Sequence, residues 1–159
     1  MAAIVVAKMT APQQEAVHPE PVWRDRSNFV IGARLPEPGR TEQLWARQLG
    51  ERRFEVCCIP FFLYDVALGD VVETDENYDF VRVVRPSGRY VFRVWFGDST
   101  YSKDRVADGL TKLGALLEWS SANLLAVDAA DDEQAKAVAD FLQDHEDRQH
   151  LVYETGRLA

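Results

Sequence analysis

Polar and apolar residues alternate along much of the first 96 residues, and a helical spacing of apolar residues appears only after that point. Alternation with a period of two predicts β-strands with one buried face, whereas apolar residues three and four apart predict amphipathic helices. From residue 89 onward the predicted order is strand, helix, strand, strand, helix, strand. That order is the split βαβ, or ferredoxin-like, arrangement.

The part of the chain before residue 89 predicts antiparallel strands. A Pro-Ser-Gly turn at 86–88 predicts a hairpin joining the two strands on either side of it, and one helical turn is predicted within 61–70. We therefore expect an α+β protein in which an N-terminal antiparallel sheet or small barrel, residues 28–88, shares a core with a ferredoxin-like region, residues 89–159. The strands predicted in the first part and at its end are 28–35, 41–49, 52–62, 70–75, 79–85 and 89–96.

Two helices in the second half have recognisable ends. Ser102 is predicted to cap the first helix, and Gly114 to end it, because glycine accepts the left-handed conformation past a helix end. Asp131 with Gln134 resembles a capping box at the start of the second helix. Between the helices, 115–120 and 123–129 predict a hairpin, and the segment from His150 predicts a closing strand.

Residues 1–27 have no apolar period, and their prolines favour an extended path. We interpret this segment as an arm, with Trp23 as its candidate anchor. The apolar run 2–7 is too short for a signal peptide, and no stretch approaches the roughly 20 apolar residues of a membrane span. Two cysteines without a signal favour the cytoplasm.

The chain carries a formal net charge of −8 at neutral pH. An acidic protein is repelled by phosphate backbones and by anionic lipid, so nucleic acid and membrane surfaces are disfavoured partners. Acidic residues concentrate in 128–147, where eight Asp or Glu accompany one basic residue, Lys136. We interpret this stretch as a solvated helix face; a metal site or a surface for a basic partner is the alternative.

The adjacent Cys57 and Cys58 carry no recognisable chemical motif. Strand alternation places Cys58 on the core face and Cys57 on the more polar face. They lack the two-residue spacer of structural zinc sites and have no base assigned by the sequence, so we interpret them as structural. His145 and His150 are five residues apart rather than the four of the zinc-protease motif, so we expect a solvated helix end, no metal and no cofactor.

An arginine cluster between residues 79 and 97 is the candidate binding site. Alternation places Arg89, Arg93 and Trp95 on the face opposite Tyr90 and Phe92. Arginine and tryptophan are enriched in protein-interface hot spots, and arginine also forks around carboxylate and phosphate. The structural alternative is a face covered by the N-terminal arm or by the acidic helix. The candidate binding residues are Arg82, Arg85, Arg89, Arg93 and Trp95.

Three stretches of the chain resemble an uncharacterised bacterial family, domain of unknown function 4265: EQLWARQLGERRFEVCCIPFFLYDVALGDVVETD, VVRPSGRYVFRVWF and LLAVDAA. The resemblance covers most of residues 20–158 and implies no established activity. Separately, the order of strand, Ile-Pro, turn and LGDVVE is similar to the swapped-hairpin barrels of AbrB-type transcription regulators.

The sequence contains no glycine-rich nucleotide fingerprint, no nucleophile-elbow motif and no Cys/His metal array, which lowers the expectation of an enzyme. We expect a non-enzymatic cytoplasmic protein-binding or regulatory module, of which an immunity-type protein is one form. The alternative is a small anionic-ligand-binding protein, or an enzyme, that holds its ligand with the arginines. A DNA-binding regulator is the third hypothesis.

Overall fold

The computed structural model describes residues 14–158 as a mixed α+β protein with two β-sheets and two α-helices. The first sheet contains β1 (Gln14–Ala16), β2 (Phe29–Arg34), β3 (Arg40–Gly50), β4 (Arg53–Val56), β5 (Val71–Thr74) and β6 (Phe80–Arg85). A short 3-10 turn, Arg24–Arg26, precedes β2. The second sheet and its helices are β7 (Tyr90–Trp95), α1 (Lys103–Lys112), β8 (Leu116–Trp119), β9 (Leu124–Ala129), α2 (Asp132–Asp147) and β10 (Val152–Thr155).

The first sheet is an antiparallel meander from β2 to β6, with β1 added in parallel to the start of β3. Its ends approach each other, because Gly32 of β2 bridges to Asp79 and its N–H donates to the Tyr78 carbonyl at 2.9 Å. A Cβ at residue 32 would lie 2.6 Å from an Asp79 carboxylate oxygen, so glycine permits this approach. The sheet therefore curls around an apolar interior: Ile31, Ala33, Leu44, Ala46, Phe54, Val56 and Val72.

The second sheet has the strand order β10-β7-β9-β8, with every neighbouring pair antiparallel. Residues of the sheet and of both helices form one apolar cluster, which includes Phe92, Val94, Val106, Leu110, Val127, Val138 and Leu142. The predicted caps are confirmed: the Ser102 hydroxyl accepts from the Arg105 N–H at 3.2 Å, and Asp131 accepts from the Gln134 N–H at 2.8 Å. Gly114 has a φ of +89° just past α1, as its position predicted.

Two sequence predictions are wrong in the segment between the sheets. Pro86–Gly88 is not a hairpin turn, because β6 and β7 belong to different sheets. Ser87 is instead held by Asp70, whose carboxylate accepts from the Ser87 N–H at 2.8 Å. The expected helical turn within 61–70 is also not a helix: the amides of residues 61–63 donate to a distant carboxylate, described below. The segment forms only isolated turns, in one of which the Asp70 N–H donates to the Ala67 carbonyl at 3.1 Å.

The two sheets meet through an apolar cluster of their own. It contains Ile59, Phe61 and Ala67 from the connection between β4 and β5, and Val91 and Ala126 from the second sheet. Because the helices cover one face of the second sheet, this cluster lies on its other face. Within residues 14–158, no helix is long and apolar enough to cross a membrane.

Candidate anion-binding cleft between the two sheets

A buried histidine links the arm to both sheets. His18 Nε2 lies 2.7 Å from a Glu42 carboxylate oxygen on β3, and its Nδ1 lies 2.7 Å from a Glu118 oxygen on β8. The ring stacks on Phe61 with centroids 4.0 Å apart and planes 8° apart. Since both ring nitrogens face carboxylate oxygens, both donate, and the imidazole carries its positive charge.

The surroundings of His18 fix its charge. Burial disfavours the protonated ring, but the neighbouring Cys58 side chain and the hydrogen bonds to Glu118 and Glu42 outweigh burial and raise the pKa of His18 to about 12. Burial likewise opposes the charge of Glu42, but the hydrogen bond and the charge of His18 outweigh burial and lower the pKa of the Glu42 carboxyl. At neutral pH the three side chains therefore form a charged, hydrogen-bonded network, which we call the His18 network.

The two carboxylates of the His18 network also hold the loop that follows β4. Glu42 accepts from the N–H groups of Phe61, Phe62 and Leu63 at 2.7, 3.0 and 2.9 Å. Glu118 accepts from the Ile59 N–H at 2.6 Å. The backbone of residues 59–63 is therefore tied to β3 on one side and to β8 on the other.

Both cysteines lie at the end of β4 and are fully buried. Cys58 packs in the apolar core with Phe54 and Val56, as alternation predicted. Cys57 lies on the side of Glu55, Arg26 and Arg47, also as predicted, but it is buried there rather than exposed. Burial raises the pKa of the Cys57 thiol to about 11 and also raises that of Cys58, against the effect of His18. A buried thiol with a raised pKa is a poor nucleophile at neutral pH.

Arg93 lies in the same cross-strand row as Glu118. The row runs from Glu118 on β8 through Ala126 and Arg93 to Glu154 on β10, across the face that meets the first sheet. The Arg93 side chain is only 4% exposed, and its Nη2 donates to the Leu63 carbonyl. Within residues 14–158, its Nε and Nη1 have no hydrogen-bond partner. Arg93 is thus a buried cation with two unmet donors.

Two side chains cover the guanidinium of Arg93. Its central carbon lies 4.6 Å from the centre of the Tyr64 ring. Glu154 approaches to 3.9 Å from Nη1, within ion-pair range but beyond a hydrogen bond. Both Glu154 oxygens lie in reach of the Tyr64 hydroxyl, at 2.8 and 2.7 Å. The Tyr64 hydroxyl therefore donates to Glu154.

These residues line a cleft of about 160 Å³, which we call the Arg93 cleft. Arg40 lies at its rim, with its guanidinium 5.2 Å from the Phe62 ring centre and its Nη1 2.5 Å from a Glu37 oxygen. The arrangement combines one unsatisfied buried cation with an apolar wall, which suits an anion with a small apolar body. The wall is formed by Leu35, Pro36, Phe61 and Phe62.

The structure separates the other predicted site residues from Arg93. Arg82 and Arg85 are exposed on β6 of the first sheet, and Arg82 pairs with Glu73 at 3.0 Å. Arg89 donates from Nε and Nη2 to the fully buried Asp128 at 2.9 and 2.5 Å. Trp95 is 48% exposed at the end of β7. The five residues do not form one surface, because β6 and β7 lie in different sheets.

The face that carries Arg93 is covered mainly by the loop after β4. The arm contributes Trp23, whose ring centre lies 5.5 Å from the Arg89 guanidinium. The acidic helix α2 packs on the opposite face, with Phe92 and Val94. From the sequence, either the arm or the acidic helix was expected to cover this face. The arm covers part of it, and the helix packs on the other face.

Five polar residues of the site were missed from the sequence: His18, Glu42, Tyr64, Glu118 and Glu154. A signal existed for Glu42, because strand alternation places it on the same face as Leu44 and Ala46, which are core residues. A carboxylate at such a position indicates a buried polar partner. No comparable pattern surrounds His18, whose role depends on contacts 24 and 100 residues away.

His145 and His150 form a separate pair near the end of α2. Their Nδ1 atoms lie 2.9 Å apart, and Tyr101 stacks on His150 with centroids 3.8 Å apart. The expected solvated position is wrong for His145, which is only 8% exposed. Burial and the neighbouring His150 lower the pKa of His145, so one of the two rings is neutral and accepts the hydrogen bond.

The fold and the cleft define a class of protein: a two-sheet α+β protein with a buried charge network between its sheets. The profile of a family described as Domain of unknown function (DUF4265) matches residues 42–153, and the chain belongs to that family. No curated protein matches the chain.

One solved structure resembles the chain, "Novel crystal structure of a hypothetical protein from Neisseria gonorrhoeae". The TM-score is 0.67 at 18% sequence identity, over 83% of this chain and 97% of that one. At this identity the likeness shows the fold alone. It spans most of both chains.

Proposed function

We propose that the protein is a non-enzymatic binding protein that holds a small anion in the Arg93 cleft. One observation carries the proposal: the Arg93 side chain is 4% exposed, yet its Nε and Nη1 have no hydrogen-bond partner within residues 14–158. Buried polar groups in native proteins are almost always hydrogen-bonded, and an unmet buried donor is costly. The oxygens of an anionic ligand would supply the missing acceptors.

The dimensions and lining of the Arg93 cleft restrict the ligand. Its volume of about 160 Å³ is below the range of roughly 300–1,000 Å³ for drug-sized ligands. The apolar wall beside Phe62 favours an organic body, and the guanidinium favours carboxylate or phosphate. We therefore propose a ligand with one oxyanion group and a small apolar body.

Binding is tested by isothermal titration calorimetry with benzoate, acetate and inorganic phosphate. We expect at least one of them to bind the wild-type protein with a Kd at or below about 1 mM. Arg93→Gln should weaken that binding at least tenfold, which corresponds to about 1.4 kcal/mol. The matched control is Arg82→Gln, an exposed arginine on the other sheet, which should bind as the wild type does.

Equal anion binding by the wild type and Arg93→Gln would contradict the proposal. Thermal melts of each variant confirm that the comparison is made between folded proteins. A folded wild type that binds none of the three anions at millimolar concentration would also contradict it.

A protein-binding module is the second candidate function, and a specific observation favours it. Trp95 and Val152 face each other across β7 and β10 and are 48% and 53% exposed, with the half-buried Leu124 beside them. Exposed tryptophan with aliphatic neighbours is typical of interaction hot spots. A partner retained from the native host by the wild type and by Val81→Ala, but lost by Trp95→Ala, would support this function. Val81 is a matched exposed residue on the first sheet.

We also propose that residues 89–159 are a ferredoxin-like unit and that the protein works in the cytoplasm. The strand order β10-β7-β9-β8, with two helices in the connections, supports the first point. The free thiols of Cys57 and Cys58 support the second. Neither point determines the ligand, since ferredoxin-like units serve many functions.

A further inference from the structure

The Arg93 cleft is closed over the guanidinium it contains. Nε and Nη1 of Arg93 have almost no exposed surface, although the cleft lies beside them. Tyr64 and Glu154 form this cover: the Tyr64 ring lies over the guanidinium, and the Glu154 carboxylate is 3.9 Å from Nη1. A ligand therefore reaches Arg93 only if these two side chains move.

Within residues 14–158, the anionic group nearest to Nη1 of Arg93 is the carboxylate of Glu154. Glu154 is held just short of a hydrogen bond with Arg93 because the Tyr64 hydroxyl donates to it. Its side chain is 51% exposed, so it remains largely hydrated and has room to rotate. Rotamer changes of exposed side chains take picoseconds to nanoseconds.

We propose that Glu154 is a built-in competitor for the ligand and that Tyr64 with Glu154 gates the Arg93 cleft. The inference rests on the proposed function, and it names the ligand class as a small carboxylate. The bound carboxylate displaces Glu154 from the vicinity of Nη1 and takes over the donation from the Tyr64 hydroxyl. The apolar body then lies against Phe62 and Leu35.

The backbone supports a gate made of side chains alone. Glu154 is in register with Arg93 across β10 and β7, so the strand pairing fixes where its Cα lies. Tyr64 is fixed on both sides, because the Leu63 N–H donates to Glu42 and the Asp65 N–H donates to the Gly156 carbonyl at 2.7 Å. Opening thus requires rotation of two side chains and no change in strand pairing.

The two gate residues should have opposite effects on affinity. Glu154→Gln removes a negative charge that repels the ligand, so a carboxylate should bind at least tenfold more tightly. Tyr64→Phe removes the hydroxyl that holds Glu154 away from Arg93 and that the ligand would use. The Tyr64→Phe variant should therefore bind at least tenfold more weakly.

The test is calorimetric titration of the full chain with benzoate and, separately, with inorganic phosphate. The matched control is Glu37→Gln, because Glu37 is an exposed acid on the same cleft but pairs with Arg40. We expect Glu37→Gln to change the benzoate Kd less than threefold. Glu154 is exposed, so its substitution should leave the melting temperature unchanged.

The outcomes separate the two proposals. If the folded wild type binds none of the test anions at millimolar concentration, the proposed function fails. If the wild type binds an anion through Arg93 but Glu154→Gln does not tighten benzoate, the gate is refuted and the cleft stands. If Glu154→Gln tightens phosphate more than benzoate, the carboxylate class is wrong.

Discussion

Substitution of His18 tests whether the charge network holds the two sheets together. His18→Ala would leave Glu42 and Glu118 buried without the cation that now lies 2.7 Å from each of them. Removal of one partner from a buried ion pair typically costs about 3–5 kcal/mol. In a protein of this size, 1 kcal/mol lowers the melting temperature by about 2–4 °C, so we expect a decrease of about 6 °C or more.

The measurement is equilibrium unfolding in urea together with thermal melts, both at pH 6. His18→Phe separates charge from packing, because a phenyl ring can keep the stack on Phe61 but cannot donate to the carboxylates. We expect it to be nearly as unstable as His18→Ala. The control is Lys136→Ala, which removes an exposed pair to Asp140 and should cost no more than about 0.5 kcal/mol. A loss below about 1 kcal/mol for His18→Ala would refute the reasoning.

The remaining predictions concern pH, the cysteines and the helix packing. Folding raises the pKa of His18 from 6.5 to about 12. The contribution of His18 to the free energy of unfolding should therefore be complete below pH 6.5 and decrease by up to about 1.4 kcal/mol per pH unit above it. In urea unfolding experiments from pH 6 to 9, His18→Ala should not show this decrease. The lowered pKa of Glu42 acts in the opposite direction: its contribution to stability should be present above about pH 4.5 and be lost as the pH falls. Acid unfolding of Glu42→Gln, compared with that of the wild type, checks this prediction. Cys57→Ser combined with Cys58→Ala should cost about 1–2 kcal/mol in urea unfolding and leave anion binding unchanged; a folded variant that binds no anion would contradict their structural role. Gly109→Ala should lower the melting temperature although alanine has the higher helix propensity, because the new Cβ would lie 2.5 Å from the Phe141 ring. A rise in the melting temperature would show that the ring can move aside.

Features set by neighbouring residues were predictable from the sequence. Ser102, Gly114 and Asp131 mark helix ends through contacts within a few residues, and each is found in that role. Alternation also placed Arg93 and Trp95 on the face opposite Phe92, as the structure has them. Alternation could not predict which segment of the chain covers the face that carries Arg93.

Features set by distant contacts were missed. The crossing at Pro86–Gly88 depends on Asp70, which is 17 residues before the Ser87 amide that it accepts from. The loop after β4 is irregular, and Glu42 satisfies three of its amides from 19 to 21 residues away. A local sequence pattern contains no information about such distant partners. It therefore predicts a turn or a helix at places where the backbone amides in fact donate to a distant side chain.

Hydrogen-bond satisfaction divides the interface between the sheets into two parts. At one end of the cross-strand row, Glu118 accepts from His18 and from two backbone amides, so this end has little capacity left for a ligand. At the other end, Arg93 keeps two unmet donors beside the exposed Glu154. A fully satisfied buried network rigidifies a core, whereas unmet donors at the edge of a cleft are free to bind. The His18 network thus fixes the loop over the row, and the Leu63 carbonyl of that loop accepts from Arg93. The fixed loop therefore holds Arg93 in the position where we propose that it binds an anion once Tyr64 and Glu154 move.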